Sequence, residues 1–471
     1  MVFSSITFLF YFLPLAIGIY FIAPKRARNL VLLSFSIIFY TWGEIEYVTV
    51  MILSIMSNYV LGRLIANSNR KHVWLVLAVI VNLGLLVFFK YTNFLIDNLN
   101  PMLELLHVTP ITQYDIHLPI GISFFTFQAL SYVVDVYRGT TEVQKNPLDL
   151  ALYISLFPQL IAGPIVRYKD VAEQLKTRII SRGKFAEGIQ RFVTGLAKKI
   201  LIANNMAIVA DKIFPMTPEQ LSTPLAWLGI IAYTLQIYFD FSGYSDMAIG
   251  LGKIFGFDFL ENFNYPYIAQ SIQDFWRRWH ISLSNWFRDY LYIPLGGNRK
   301  GLSRTYINLY IVFFLTGLWH GASWNFIFWG VWHGTFLVIE RIGFIKVLNR
   351  AWQPLRHLYT VFVFLFGWVF FRAITFNDAL DYIQRMVFWS EGNGYRTIPI
   401  IMNNELWLAL IFGIILSAPV LKHSWVQRLR QVDIIQTIEP IAVTLTVIAL
   451  MYLSVINLAG STYNPFIYFR F

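Results

Sequence analysis

Leu318-Trp319-His320-Gly321-Ala322-Ser323-Trp324 decides how this chain is read, because it sets a histidine in an interruption of about seven residues between the apolar segments Tyr306 to Leu318 and Trp324 to Glu340. Each flank is of the order of a membrane-crossing helix, and Gly317 and Gly321 loosen the backbone around His320. An ionisable group at membrane depth in non-helical backbone is tolerated only where protein buries it or where it lines a wet cavity. His320 is therefore a functional candidate, weighed against the plainer reading of a structural imidazole bonded to a neighbouring carbonyl.

Outward from that stretch, composition sets the class. Of 471 residues, 57% are hydrophobic and only 13% charged, which makes this an all-α polytopic membrane protein. The 37 Lys and Arg outnumber the 26 Asp and Glu, but the cations fall in clusters between apolar segments, so positive-inside topology explains them better than nucleic-acid binding does. The absence of cysteine excludes disulfides, thiolate metal sites and an acyl-cysteine intermediate on this chain. The remaining catalytic means are His, Asp, Glu, Ser, Tyr and a metal ion.

The apolar segments and their cationic loops predict about twelve transmembrane helices, with both termini outside the cytoplasm. Ile6 to Ile22 reads as a retained first span, since no basic n-region precedes it. Lys25-Arg26-Ala27-Arg28 and Arg70-Lys71-His72 mark the inside, and Glu44 and Glu46 an outer loop. Val73 to Lys90 is read as a span leading into a long outer loop, Asn93 to Leu118. Leu148 to Ile165 is apolar, carries Pro158, Gly163 and Pro164, and has cytoplasmic signals at both ends, so it is read as re-entrant. Lys422, Arg428 and Arg430 are read as inside, and the tail Tyr463 to Phe471 as aromatic enough for the outer interface. No repeat or linker divides residues 1–471, which predicts a single transmembrane domain without a soluble domain.

Arg167 to Lys199 carries nine Lys and Arg against Asp170, Glu173 and Glu187. Such a basic patch obeys the positive-inside rule, attracts anionic membrane lipid, or meets a phosphorylated donor. Further on, Asp240 and Asp246 lie about 120° apart around a helix and need not share a site. Each is a proton or ligand group, or a buried partner for an arginine. From Phe275 to Leu291 a helical wheel puts Phe275, Trp276, Trp279, Leu283, Trp286, Phe287 and Tyr290 on one arc, and Arg277, Arg278, Ser282, Arg288 and Asp289 on the other. His280 falls on the seam. This amphipathic helix fits the cytoplasmic interface or the wall of an aqueous funnel. The loop Pro294-Leu-Gly-Gly-Asn-Arg-Lys-Gly301 follows, with Asn298, Arg299 and Lys300 placed to approach a phosphate.

His280 and His320 suit acid–base work at neutral pH. No His/Asp/Glu spacing resembles a metal motif, and Gly243-Tyr-Ser-Asp-Met247 fails as a nucleophile elbow. A proton-coupled transporter using Asp240, Asp246 and the histidines stays open, although no inverted repeat is visible.

Asp240-Phe-Ser-Gly-Tyr-Ser-Asp-Met-Ala-Ile-Gly250, Phe275-Trp-Arg-Arg-Trp-His-Ile-Ser-Leu-Ser284, Arg288-Asp-Tyr-Leu-Tyr-Ile-Pro-Leu-Gly-Gly-Asn-Arg299, Leu318-Trp-His-Gly321 and the tail Pro465-Phe-Ile-Tyr-Phe469 resemble the membrane-bound O-acyltransferase (MBOAT) family, most closely its bacterial alginate O-acetyltransferase branch. The resemblance covers most of the chain. It implies helices around a narrow central channel, acetyl-CoA as a cytoplasmic acyl donor with no bound cofactor, and O-acetylation of an extracytoplasmic polysaccharide: alginate, or alternatively peptidoglycan or cellulose. It also implies residence in the bacterial inner membrane and an SGNH-hydrolase-like acetyltransferase as partner. His320 matches the family's essential histidine and His280 its second one. Charge and placement add Arg277, Arg278, Trp319, Asn298, Arg299, Lys300, Asp240 and Asp289 as candidate donor-binding groups.

Overall fold

Long apolar runs fold as helices because lipid leaves backbone N–H and C=O groups no partner outside their own segment. In the computed structural model no strand occurs among the described residues, which are all except 392–393, 421–427, 429, 461–462, 466 and 468–471. The expectations for Lys422 and for the tail residues Phe466, Tyr468, Phe469 and Phe471 lie outside the described residues. Among the described residues, six helices combine the length and apolarity needed to cross a membrane: Val48–Asn67, Lys71–Leu105, Arg182–Ile213, Thr223–Phe255, Gln353–Arg372 and Ile435–Gly460. Phe8–Ile22 and Asn404–Leu416 are shorter apolar helices. This is a multi-pass, all-helical membrane protein.

Two compact units share the chain, Met1–Gly188 with Ala248–Leu260 and Gly321–Ser323 forming the first, and Ile189–Met247 with Glu261–His320 and Trp324–Phe471 the second. The first contains α1 (Leu13–Ile22), α2 (Arg28–Thr41), α3 (Val48–Asn67), α4 (Lys71–Leu105) and α5 (Ile122–Arg138). Asn58 and Asn82 pair their side-chain amides between α3 and α4 at 2.8 and 3.1 Å, which satisfies both polar groups inside an apolar contact. Helix α4 overturns one boundary: the stretch from Asn93, expected as a polar loop, stays helical to Leu105 even across Pro101. Its polar side chains do not end the helix: Asn98 bonds to the Phe94 carbonyl, while Asn93, Asp97 and Asn100 bond to Tyr114, Gln113 and Ile111 of the segment that follows. The apolar stretch expected to re-enter breaks where its prolines predict, into α6 (Pro147–Ser155) and α7 (Phe157–Leu160), followed by buried non-helical residues from Ile161 to Val166.

The second unit takes up α9 (Arg182–Ala197, following α8, Tyr168–Lys176) from Ile189 onward. That helix runs through a π-helical turn, Lys198–Ala203, into α10 (Asn204–Ile213). It crosses α11 (Thr223–Phe255) at glycines: a Cβ on Gly195 would lie 2.5 Å from the Gly243 carbonyl oxygen, and one on Gly243 2.7 Å from that of Gly195. Only glycine allows such an approach. The crossing explains the two aspartates. Asp240 and Asp246 flank Gly243, so Asp240 meets Lys199 at 2.9 Å while Asp246 takes Arg191 and Lys198, each at 2.6 Å.

Downstream come α12 (Ile272–Arg278), α13 (Ile281–Phe287), α14 (Leu302–His320) and α15 (Trp324–Ile339), then α16 (Ile345–Arg350), α17 (Gln353–Arg372), α18 (Phe376–Val387), α19 (Gly394–Ile401), α20 (Asn404–Leu416) and α21 (Asp433–Gly460). Helices α14 and α15 form a hairpin drawn together by Gly317 and Gly330, whose added Cβ atoms would each stand 2.2 Å from a carbonyl oxygen of the opposite helix. The interruption around His320 is therefore shorter than its sequence suggested. His320 is the last residue of α14, and only three residues separate it from α15.

Candidate active site

The amphipathic stretch expected as one helix is two. Helix α12 begins under a double cap: Ser271 Oγ accepts from the Asp274 N–H at 3.0 Å, and the buried Glu340 carboxylate accepts from the Ile272 and Gln273 N–H groups at 2.6 and 3.0 Å. It ends at Arg278. His280 then adopts a left-handed conformation, φ 43°, before α13 starts, and a π-helical turn, Arg288–Tyr292, follows. A histidine in that region stores roughly 1–3 kcal/mol of strain and persists only where its surroundings hold it. The surroundings are the loop after Glu261: the Ile281 N–H donates to the Asn262 carbonyl at 2.9 Å, and the Asn264 N–H to the Arg278 carbonyl at 2.9 Å. The kink turns His280 fully inward, away from the seam the wheel gave it.

There the two histidines meet. Their ring centroids are 6.4 Å apart, with Trp319 beside both, 4.9 Å from His320 and 6.1 Å from His280. Phe241 stands edge-on to His280 at 4.6 Å, while Trp329 and Phe371 pack edge-on against His320 at 5.0 and 5.2 Å. A narrow cavity opens at His320, with about 260 Å³ of non-atom space when the open solvent at its mouth is included. Its other walls are Ile237, Phe241 and Phe371, three indoles (Trp279, Trp329, Trp368), and Ile467 of the tail. Among those lining residues His320 is the one imidazole. The lining is otherwise almost wholly apolar. His280, outside the apolar spans, is driven by burial to a pKa of about 3, so it is neutral at physiological pH.

The donor-binding candidates divide. Trp319 is buried beside the two histidines. Asp240 does not line the cavity but pairs with Lys199, both side chains being 2% exposed, and its Oδ2 accepts from the Ile467 N–H at 2.9 Å. It is a fixture of the tail, not a group presented to a ligand. Arg278 is tied to Asp274 at 3.0 Å, and Asp289 to Arg288 at 2.8 Å. Arg277, Asn298, Arg299 and Lys300 are exposed, the last three on the glycine-rich loop, unlike the buried His320. Four residues were not foreseen: Asn262, which holds His280; Trp329, whose buried indole N–H has no acceptor among the described residues; Lys199; and Ile467. The run Glu261-Asn-Phe-Asn264 after a long helix was the only sequence hint of Asn262.

His333, one turn past Trp329 on α15, stacks on Phe275 at 6.1 Å and is fully buried. No three His, Asp or Glu side chains among the described residues are grouped so as to hold a metal ion.

Known proteins align with this arrangement over nearly its whole length. The family described as MBOAT, membrane-bound O-acyltransferase, matches residues 143–377, a span that includes both histidines. A protein of Azotobacter vinelandii named probable alginate O-acetylase AlgI is 42% identical over 100% of both chains. The peptidoglycan O-acetyltransferase of Helicobacter pylori is 39% identical over 82% of this chain and 80% of its own. The teichoic acid D-alanyltransferase of Bacillus subtilis is 29% identical over 55% of this chain and 68% of its own.

Proposed function

Because this chain belongs to the membrane-bound O-acyltransferase family and is an O-acyltransferase of the membrane, we propose that it takes an acetyl group from cytoplasmic acetyl-CoA and passes it outward for O-acetylation of an extracytoplasmic polysaccharide, alginate first among the candidates. Peptidoglycan is the second candidate, on the likeness to the Helicobacter protein, and cellulose is open to the same chemistry. The observation that carries the reading is a single imidazole, His320, facing a narrow cavity whose other walls are apolar and aromatic side chains. His320 takes the proton of an acceptor hydroxyl as its oxygen bonds to the thioester carbonyl carbon. The C–S bond then breaks, and the proton passes to the departing thiolate. Buried indole N–H groups beside His320, those of Trp319 and Trp329, are the donors placed to receive the developing oxyanion. The exposed Arg277, Arg299 and Lys300 offer cations to the coenzyme phosphates. His280 orients the donor or relays the proton.

A polysaccharide cannot thread a cavity of this size, so the acyl group must leave on something small or be handed to a docked protein. The resemblance to the alginate branch points to an extracytoplasmic SGNH-hydrolase-like acetyltransferase. Reconstituted in vesicles with acetyl-CoA on the cytoplasmic face and polymer on the other, the chain is expected to acetylate polymer only when that partner is added. Efficient acetylation without it would overturn the relay. A proton-coupled transporter would instead move a solute with no acyl group changing hands.

The same reading places the protein in the inner membrane with its termini outside and Arg26, Arg70 and Arg428 inside. Since the chain has no cysteine, single cysteines report topology directly. An impermeant thiol reagent on intact cells is expected to label Glu391→Cys and to spare Arg70→Cys, and the reverse pattern would refute the orientation.

A further inference from the structure

Asn262 is 1% exposed and spends every polar atom of its side chain locally. Its Oδ1 faces the Ser282 N–H at 3.2 Å, the Ser282 hydroxyl at 2.9 Å and His280 Nδ1 at 3.1 Å, and its Nδ2 donates to Ser245 Oγ at 3.0 Å. A backbone N–H can only donate, so the Asn262 atom it meets is the oxygen and not the amide nitrogen. A carbonyl oxygen can only accept. The proton between Asn262 and His280 therefore sits on Nδ1, and in the neutral ring Nε2 carries the lone pair.

We propose that Asn262 is a positioning residue for acyl transfer: it holds His280 as the Nδ1–H tautomer, so that Nε2 is the accepting nitrogen of a ring that lies beside His320. The inference rests on the acyltransfer reading for its consequence, but the tautomer itself does not. The geometry supports a built device. The left-handed turn at His280 and the Asn262 backbone bond to Ile281 fix the ring's origin, and the side-chain oxygen fixes its rotation. The loop that carries Asn262 is anchored in turn, because the adjacent Glu261 takes a two-pronged bond from Arg191 at 2.6 and 3.0 Å, and Arg191 also meets Asp246. A neutral amide serves here where a carboxylate would favour the imidazolium. His280 packs against Phe241, Phe263, Trp319 and His320, of which His320 is the ionisable one, and Asp246 and Glu261 are compensated by Arg191 and Lys198.

The test has one reading that needs no activity. With ¹⁵N-histidine in the reconstituted full chain, the His280 signal, identified by its loss in His280→Gln, is expected to show a protonated Nδ1 and an unprotonated Nε2. Asn262→Ala is expected to lose that pattern. A protonated Nε2 in the wild type, or an unchanged pattern in a folded Asn262→Ala protein, overturns the proposal whatever the acyltransferase does. In the transfer assay Asn262→Ala is expected to lower kcat about 10- to 100-fold with little change in KM for acetyl-CoA, as mispositioning of a proton-transfer group does. Asn262→Asp keeps the acceptor, so it is expected to restore the Nδ1–H signal. Its charge raises the His280 pKa, so the neutral ring is lost as pH falls through a higher value, and an acid limb emerges above any limb of the wild type. A loss of activity in Asn262→Asp that is uniform with pH would mean a structural role only.

Discussion

Replacing His320 by alanine is expected to abolish acetyl transfer while the protein remains folded in the membrane. Loss of a general base costs about 10²- to 10⁴-fold in rate. Stability should suffer less, because His320 occupies the end of α14 beside a cavity and the hairpin with α15 is held by the Gly317 and Gly330 contacts, which the substitution does not touch. Transfer from acetyl-CoA in vesicles and elution on size exclusion are the two measurements. A variant that elutes like the wild type and retains most of its transfer would remove His320 from the chemistry. His320→Gln separates the roles further: it keeps a hydrogen-bonding side chain of similar reach without a titratable nitrogen, so it should be as inactive as alanine if proton transfer is the function.

How much of this was legible follows from the range of each interaction. His320 stood out because an ionisable residue between apolar flanks is costly wherever it faces lipid, and that argument needs no partner. The apolar helices and the break near Pro158 are likewise local. His280 was visible only as a residue type. Its wheel position came from assuming one unbroken helix, and the sequence Trp279-His280-Ile281 contains no glycine or proline to announce the left-handed turn. That turn exists because Asn262, eighteen residues earlier, supplies the bonds the broken helix gives up. The exposed cations behaved in the opposite way. Arg299 and Lys300 followed from the loop's composition, but whether they meet a donor depends on the ligand and not on the fold. Asp240 was legible only as a choice, a ligand group or a buried partner for an arginine, and the Gly195–Gly243 crossing is what brings in the partner, a lysine.

That lysine supports the second large effect. Lys199 and Asp240 are each 2% exposed and 2.9 Å apart, and both also hold the tail: Lys199 Nζ donates to the Pro465 carbonyl, and Asp240 accepts from the Ile467 N–H. Removing one member of a buried pair leaves the other charged with no compensation, which typically costs about 3–5 kcal/mol, whereas replacing both with apolar groups is often close to neutral. Lys199→Met and Asp240→Leu are therefore each expected to lower the thermal unfolding temperature sharply in detergent, and Lys199→Met/Asp240→Leu to recover much of the loss. Additive losses in the double variant would show that the two charges do not compensate one another. Activity should not recover in parallel. The double variant restores the charge balance of the core but not the two bonds to the tail, and Ile467, which those bonds hold, is a wall of the cavity at His320. A double variant that is stable yet slow, with KM for acetyl-CoA little changed, is the expected result, because what it loses is the shape of the chamber and not the access of the donor to it.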